Sequence, residues 1–216
     1  MVVSLQREKR PRGENERILQ KLEKLIVMRV TNITRTKEWA IVFNQFPILP
    51  VHLLLFPIKN KKFERREQKI ERRDLSIIGI TKILGPESRI FFNGIGAGAT
   101  LNSIHFQCIF GKLPIEDISL NEYPASVIEE PASSENRLWK RIQNLQEKGI
   151  PFNLLITPKR AFIFPRKKEK SNLFPRAIGA LEMAGLWWLK PEEKVNFKIL
   201  SEALKEVSLP LNSLPL

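Results

Sequence analysis

The segment from Asn93 to Gln107 has the residue types best suited to chemistry on a phosphate group. Glycines and alanines over 94–99 would let a ligand approach the backbone closely, and free amides in such a turn can hold phosphate oxygens. Ser103, His105 and Gln107 follow at alternate positions, so a strand would place their side chains on one face. An imidazole beside such a turn can attack phosphorus and form a covalent histidyl intermediate, while the glutamine amide can donate to a phosphate oxygen. The turn is not a Walker loop, because it lacks the Gly-Lys-Ser/Thr ending.

Each of these candidates also has a structural interpretation. His105 can be a neutral, hydrogen-bonded core histidine, and the small residues of the turn can serve close packing of the sheet. His52, the other histidine, is better explained as a partly buried strand residue than as a base or phosphate contact. Asn153 suits either a strand edge or a nucleotide contact. Arg166 and Lys167 suit either a solvated loop or a phosphate clamp, because an arginine can bind an oxyanion through two N–H groups.

Composition limits the kinds of partner. The chain carries 36 Lys and Arg against 23 Asp and Glu, a net charge of +13, so its surface attracts nucleic acids, acidic membranes or small polyphosphates. The basic runs at 7–12, 59–73 and 166–170 mostly lack interleaved aromatic residues, so charge alone does not indicate a nucleic-acid partner. Cys108 is the only cysteine, which excludes an intramolecular disulfide and a multi-cysteine zinc site. Because there are only two histidines as well, we predict no metal site.

The apolar segments are too short for a membrane anchor. The longest, 46–58, contains three prolines and falls short of the ~20 residues that a bilayer requires. Residues 1–7 contain no apolar stretch of signal-peptide length. We therefore predict a cytoplasmic protein with no membrane partner, which agrees with a reduced Cys108.

The hydrophobic pattern predicts the elements that must position the candidate residues. Helices are expected over 14–28, 62–84, 135–147 and about 191–207, and strands over 39–43, 51–56, 89–92, 104–110, 152–157 and 161–164. Strand pairs with separate helices indicate the α+β class with a largely antiparallel sheet. We divide the chain into a basic segment with a helix over 1–30 and one domain over 31–216.

Two stretches around the turn resemble a known family. Phe91-Phe92-Asn93-Gly94 and Asn102-Ser103-Ile104-His105-Phe106-Gln107 are similar to the nucleotidyltransferase branch of the histidine-triad superfamily, whose motif is His-x-His-x-Gln. That branch includes galactose-1-phosphate uridylyltransferases, diadenosine tetraphosphate phosphorylases, also called ATP adenylyltransferases, and GDP-hexose phosphorylases. The resemblance extends to 44–55, 152–157 with 164–166, and a small-residue strand over 179–185, and it covers roughly residues 39–190.

The resemblance implies a histidine-triad-like fold and a two-step reaction. His105 matches the nucleophile that attacks an α-phosphorus, and Gln107 matches the glutamine that holds the phosphate. The implied nucleotide and phosphate contacts are Asn93, Gly98, Ala99, Thr100, Ser103, Asn153, Arg166 and Lys167. The substrate would be a nucleoside polyphosphate or a nucleotide-sugar, inorganic phosphate or another acceptor would complete the transfer, and Mg²⁺ would accompany only the nucleotide.

One difference from the family motif leaves other functions possible. Ser103 stands where the family has its first histidine, so with a single cysteine a uridylyltransferase-type zinc site is not expected. The alternatives are a non-catalytic nucleotide-binding module of the same fold and a basic nucleic-acid-binding protein. Acid-labile labelling by a nucleotide would distinguish the enzyme from the nucleotide-binding module. Steep salt dependence of oligonucleotide binding would identify a nucleic-acid-binding protein.

Overall fold

The computed structural model describes residues 2–4, 26–31, 38–190 and 192–214. The strands are β1 (Val2–Ser4), β2 (Ile26–Thr31), β3 (Glu38–Phe43), β4 (His52–Lys59), β5 (Lys62–Phe63), β6 (Ser88–Asn93), β7 (Phe106–Phe110), β8 (Ile128–Pro131), β9 (Phe152–Ile156), β10 (Arg160–Pro165) and β11 (Trp187–Leu189). The helices in these ranges are α1 (Ile77–Leu84), α2 (Glu135–Glu147), α3 (Ala180–Met183) and α4 (Phe197–Val207), with 3₁₀ turns at Arg72–Ser76, Pro114–Glu116 and Leu211–Ser213.

The main sheet is antiparallel, as the sequence predicts. Its strand order is β2-β3-β4-β7-β6-β9-β10-β8, with β5 paired to the end of β4, and β1 pairs in parallel with β11 in a separate two-stranded sheet. Strand β7, which follows the Gly/Ala turn, lies between β4 and β6 near the centre of the sheet. The α+β prediction is therefore confirmed, and a central strand is a rigid place from which to position catalytic groups.

The two faces of the sheet are covered by different helices. Apolar side chains on one face pack against α1 and α2, and those on the other face pack against α3 and α4. Phe91 pairs directly with Gln107 and belongs to the second of these cores, so Gln107 points to the face that α3 and α4 cover. Fully buried rings such as Phe91 each contribute about 1.5–3 kcal/mol relative to an exposed position.

Helix α2 and the β9–β10 hairpin agree with the sequence prediction. The buried residues of α2, Leu138, Ile142 and Leu145, recur at helical spacing, and Gly149 follows with φ of +64°. Strand β7 begins at Phe106 rather than at 104, so the two polar residues before it lie on the chain that enters the strand.

The expected charged helix over 62–84 is wrong in its first part. Only α1 is helical, and the chain before it forms β5, an irregular stretch and a 3₁₀ turn. The charges pair locally instead of along a helix face, because Arg66 forms ion pairs with Glu64 and Asp74. Ile70 is 1% exposed, which fixes the irregular stretch against the core. Local pairing and burial of single side chains thus override the helical pattern.

Three further expectations change. The stretch 179–185, expected as a strand, contains the short helix α3. Helix α4 begins later than 191, because the Asn196 side chain accepts a hydrogen bond from the backbone N–H of Ile199 at 2.9 Å and caps the helix there. The helix expected over 14–28 falls mostly outside the described residues, and its last three positions belong to β2. None of the described helices is both long enough and apolar enough to cross a bilayer.

Candidate active site

His105 lies immediately before β7 and is 3% exposed. Its Nδ1 atom is 2.8 Å from the carbonyl oxygen of Ser103. A carbonyl oxygen only accepts hydrogen bonds, so Nδ1 carries the ring proton and Nε2 keeps its lone pair. The ring stacks on Phe56 with centroids 5.8 Å apart and planes at 25°. These contacts fix the orientation of the ring, with the proton on Nδ1 and the lone pair on Nε2.

Gln107 is oriented by the other histidine. Its Oε1 atom lies 2.9 Å from Nε2 of His52, and Nδ1 of His52 accepts the backbone N–H of Ile48 at 3.2 Å. The proton of His52 is therefore on Nε2, from which it is donated to Gln107. Because this bond occupies the amide oxygen, the amide NH₂ group is the end of Gln107 that can donate to a phosphate oxygen.

The Gly/Ala turn is held by a buried chain of polar side chains. Nδ2 of Asn153 donates to Oδ1 of Asn93 at 2.9 Å and to the carbonyl oxygen of Ala97 at 2.6 Å. Arg166 donates from Nη1 to Oδ1 of Asn153 at 2.5 Å. Asn93 Oδ1 also accepts the backbone N–H of Ala180 at 2.8 Å, which ties the turn to α3. The sequence candidates Asn93, Asn153 and Arg166 are thus brought together.

Two glycines of the turn allow close packing. Gly98 has φ of +89°, and a Cβ atom there would lie 3.0 Å from Cα of Gly179. A Cβ atom at Gly94 would lie 2.8 Å from the carbonyl oxygen of Phe152. These positions require glycine because of neighbouring backbone, so packing explains part of the small-residue pattern. Around them, Ala99 is half-buried, and Ile95 and Thr100 are exposed.

The two basic candidates differ in environment. Arg166 is fully buried and also donates to the carbonyl oxygens of Ile178, Lys168 and Glu169. Burial lowers the pKa of this guanidinium to about 10, although nearby acids oppose the change. Lys167 is exposed at the surface. The contacts of Arg166 are those of a residue that supports the turn, and the sequence alone does not distinguish this role from a phosphate clamp.

Gln68 belongs to this site and sequence reasoning did not identify it. Its side chain is 4% exposed and contacts both His105 and Asn93. The available signal was weak: Gln68 is the only glutamine in the charged run 59–73, which the pattern assigned to a helix. In the part of the chain that the structure describes, no cluster of three or more His, Cys, Asp or Glu side chains could hold a metal ion.

The comparison with protein families agrees with this arrangement. A family model described as the ATP adenylyltransferase C-terminal domain matches residues 102–210, about half of the chain. The chain belongs to the ATP adenylyltransferase family. The matched range contains His105, Gln107, Asn153 and Arg166, and the family resemblance inferred from the sequence motifs is confirmed.

The individual proteins that match this chain have low sequence identity to it. GDP-L-galactose phosphorylase 1 of Arabidopsis thaliana is 26% identical over an alignment of 178 residues, and the match covers 68% of this chain and 40% of that protein. The chain therefore spans less than half the length of this curated relative. The structure of yeast Ap4A phosphorylase in complex with Ap4A matches with a TM-score of 0.71 and 17% identity over 91% of this chain and 81% of that chain. The complex with AMP matches with a TM-score of 0.72 and 18% identity over 97% and 91%. These structural matches confirm the fold.

Proposed function

We propose that this protein is a nucleotidyltransferase of the phosphorylase type. Its substrate is a nucleoside polyphosphate, such as diadenosine tetraphosphate, or a nucleotide-sugar, and the reaction passes through a nucleotide covalently bound to His105. Family membership supports the reaction class, and the names of the relatives support these two substrate classes. The observation that carries the proposal is the hydrogen bond from Nδ1 of His105 to the Ser103 carbonyl oxygen, which places the ring proton on Nδ1 and the lone pair on Nε2.

In the first step, Nε2 of His105 attacks the α-phosphorus. The bond from phosphorus to the bridging oxygen breaks, and the leaving group departs with the bonding pair. The imidazole then carries a positive charge, which the Nδ1–H bond to the Ser103 carbonyl helps to stabilise. In the second step, an oxygen of inorganic phosphate attacks the same phosphorus, and the N–P bond breaks with its electron pair returning to Nε2.

The neighbouring groups stabilise the charge that develops on the phosphoryl oxygens. The amide NH₂ of Gln107 donates to one of them, and His52 keeps that amide in the required orientation. The proposed nucleotide and phosphate contacts in and after the turn are Asn93, Gly98, Ala99, Thr100 and Ser103. Lys167, which is exposed, offers an ammonium group to the outer phosphates. Asn153 and Arg166 act through the turn by holding Ala97 and Asn93 in place.

The proposal requires the nucleotide to reach an imidazole that is 3% exposed. In this proposal the nucleotide approaches over the Gly/Ala turn, where Gly96, Gly98 and Ala99 are half-buried and Ile95 is exposed. Steady-state assays of phosphorolysis with a panel of diadenosine polyphosphates and nucleotide-sugars, with identification of both products, test the activity. Phosphate-dependent release of a nucleoside diphosphate supports the proposal, and no turnover of any member of the panel refutes it.

A second candidate function is nucleotide binding without transfer. Two observations favour it: Ser103 occupies the position of the family's first histidine, and His105 has little exposed surface. Calorimetry with a non-hydrolysable nucleotide, combined with the phosphorolysis panel, separates the two functions. Tight binding without turnover identifies the module.

A further inference from the structure

Gln68 connects the strand before the turn to the histidine after it. Its Nε2 atom donates to the carbonyl oxygen of Asn93 at 2.9 Å and to that of His105 at 3.2 Å. Its Oε1 atom accepts the backbone N–H of His105 at 2.9 Å and lies 3.1 Å from the ring Nδ1 of the same residue. One buried amide thus contacts the backbone of both residues and the imidazole ring.

The backbone contacts determine which way the amide points. Carbonyl oxygens accept and a backbone N–H donates, so the NH₂ group of Gln68 must face the two carbonyls and its oxygen must face the N–H. The same oxygen therefore faces Nδ1 of His105 as an acceptor. Together with the Ser103 carbonyl, it presents two acceptors to one ring nitrogen. If Nε2 carried the proton in place of Nδ1, the Nδ1 lone pair would face both oxygens and be repelled by their lone pairs.

We infer that Gln68 is a positioning residue that holds His105 in the Nδ1–H tautomer with its Nε2 lone pair directed at the incoming phosphorus. The tautomer follows from the hydrogen bonds alone, whereas its consequence for the reaction rests on the proposed function. Because Gln68 also binds the Asn93 carbonyl, it fixes the imidazole relative to the start of the Gly/Ala turn. The His105 ring and the Gly/Ala turn are thereby held in a fixed position relative to each other.

The chain is well suited to a direct test because it has two histidines with opposite tautomers. His105 carries its proton on Nδ1, and His52 carries its proton on Nε2. In a long-range ¹H–¹⁵N spectrum of the full chain labelled at histidine, protonated and unprotonated ring nitrogens are well separated. The His105→Ala variant assigns the two ring systems. The wild type should show one ring of each tautomer at neutral pH.

Gln68→Ala removes one of the two acceptors. The Nδ1 and Nε2 shifts of His105 should move toward each other as the second tautomer becomes populated, and those of His52 should stay unchanged. The rate of nucleotide transfer should fall about 10-fold, which is the effect of about 1.4 kcal/mol. Gln68→Glu keeps an acceptor toward Nδ1 and should retain the wild-type tautomer.

Gln146→Ala is the matched control. The Gln146 side chain holds the same segment through the N–H and carbonyl of Ile70, at 2.9 and 3.0 Å, and does not bond to His105 in the described structure. It should leave the His105 shifts unchanged. The inference is overturned if His105 is an Nε2–H tautomer in the wild type, if Gln68→Ala leaves its shifts unchanged, or if Gln146→Ala moves them equally. If the tautomer is as expected but the wild type transfers no nucleotide, the proposed function fails and the assignment of Gln68 as the tautomer-setting residue stands.

Discussion

His52 and Gln107 are joined by a hydrogen bond of 2.9 Å between Nε2 and Oε1, across the neighbouring strands β4 and β7. The imidazole is fixed in turn by the N–H of Ile48, which leaves it only the Nε2 proton to donate. The orientation of the Gln107 amide is therefore determined by a residue on another strand. This relationship makes His52 part of the site, although its place in the sequence favours a structural interpretation.

Replacing His52 by Ala should release the amide of Gln107. Its oxygen could then face the phosphate, so we expect kcat to fall about 10- to 100-fold, with a smaller change in KM. The loss of a buried hydrogen-bonded ring should also lower the free energy of unfolding by about 1–3 kcal/mol. Single-turnover transfer rates and urea unfolding measure the two effects, and an unchanged transfer rate would exclude the orienting role.

Gln107→Ala removes the proposed donor itself. By analogy with loss of one donor from an oxyanion site, the transfer rate should fall about 10²-fold. Gln107→Glu should be at least as slow, because a carboxylate cannot donate and repels the phosphate. Pre-steady-state measurement of labelled-histidine formation tests both variants. Retention of more than half the wild-type rate in Gln107→Ala would show that the amide does not contact the reacting phosphate.

The glycine requirement of the turn is tested by Gly98→Ala. Its φ of +89° and the 3.0 Å approach to Gly179 make both strain and overlap expected. The free energy of unfolding should fall by about 1–3 kcal/mol, and transfer should weaken as the turn shifts.

Gly79→Ala in α1 is the control for this substitution. A Cβ atom there has no neighbour within 4 Å, and its φ is not positive, so stability should rise by about 0.5–1 kcal/mol. Thermal unfolding of both variants measures the two changes in stability. If the two glycines behave alike, the turn is not constrained as the geometry indicates.

Arg166 and Lys167 are adjacent basic residues, but their replacement should affect different properties of the protein. Arg166→Met leaves Asn153 and several backbone carbonyls without their donor, and we expect a loss of about 3 kcal/mol or more in the free energy of unfolding. Lys167→Met should change stability by less than about 0.5 kcal/mol but raise KM for a polyphosphate. Denaturant unfolding with Michaelis analysis checks both expectations. A stable Arg166→Met protein with a raised KM would instead identify Arg166 as a phosphate clamp.

The sequence could predict the sheet because short apolar runs bounded by turn residues indicate buried strands such as β9 and β10, and helical spacing indicates α2. It could also place His105 and Gln107 on one face, since alternation requires no tertiary information. The structure adds the partner of each polar group. His52 reaches Gln107 from another strand, and Gln68 reaches His105 across 37 residues.

The failures have a common physical cause. The stretch before α1 has charges spaced for a helix, but Arg66 pairs with Glu64 and Asp74 and the chain folds back on itself. The role of Arg166 is hidden for a related reason, because no sequence spacing pairs its guanidinium with Asn153 and Ile178, which lie 13 and 12 residues away. Local patterns predict elements well, and they do not determine which buried polar groups meet.

The most direct test of the central claim is formation of an acid-labile, base-stable bond between an α-labelled nucleotide and the protein. The wild type, incubated with labelled ATP or diadenosine tetraphosphate in the absence of phosphate, should retain label on a peptide containing His105, and addition of phosphate should release it. His105→Ala should retain none, whereas His52→Ala should still acquire label slowly. Equal labelling of wild type and His105→Ala, or turnover without any labelled protein, would contradict nucleophilic attack by His105.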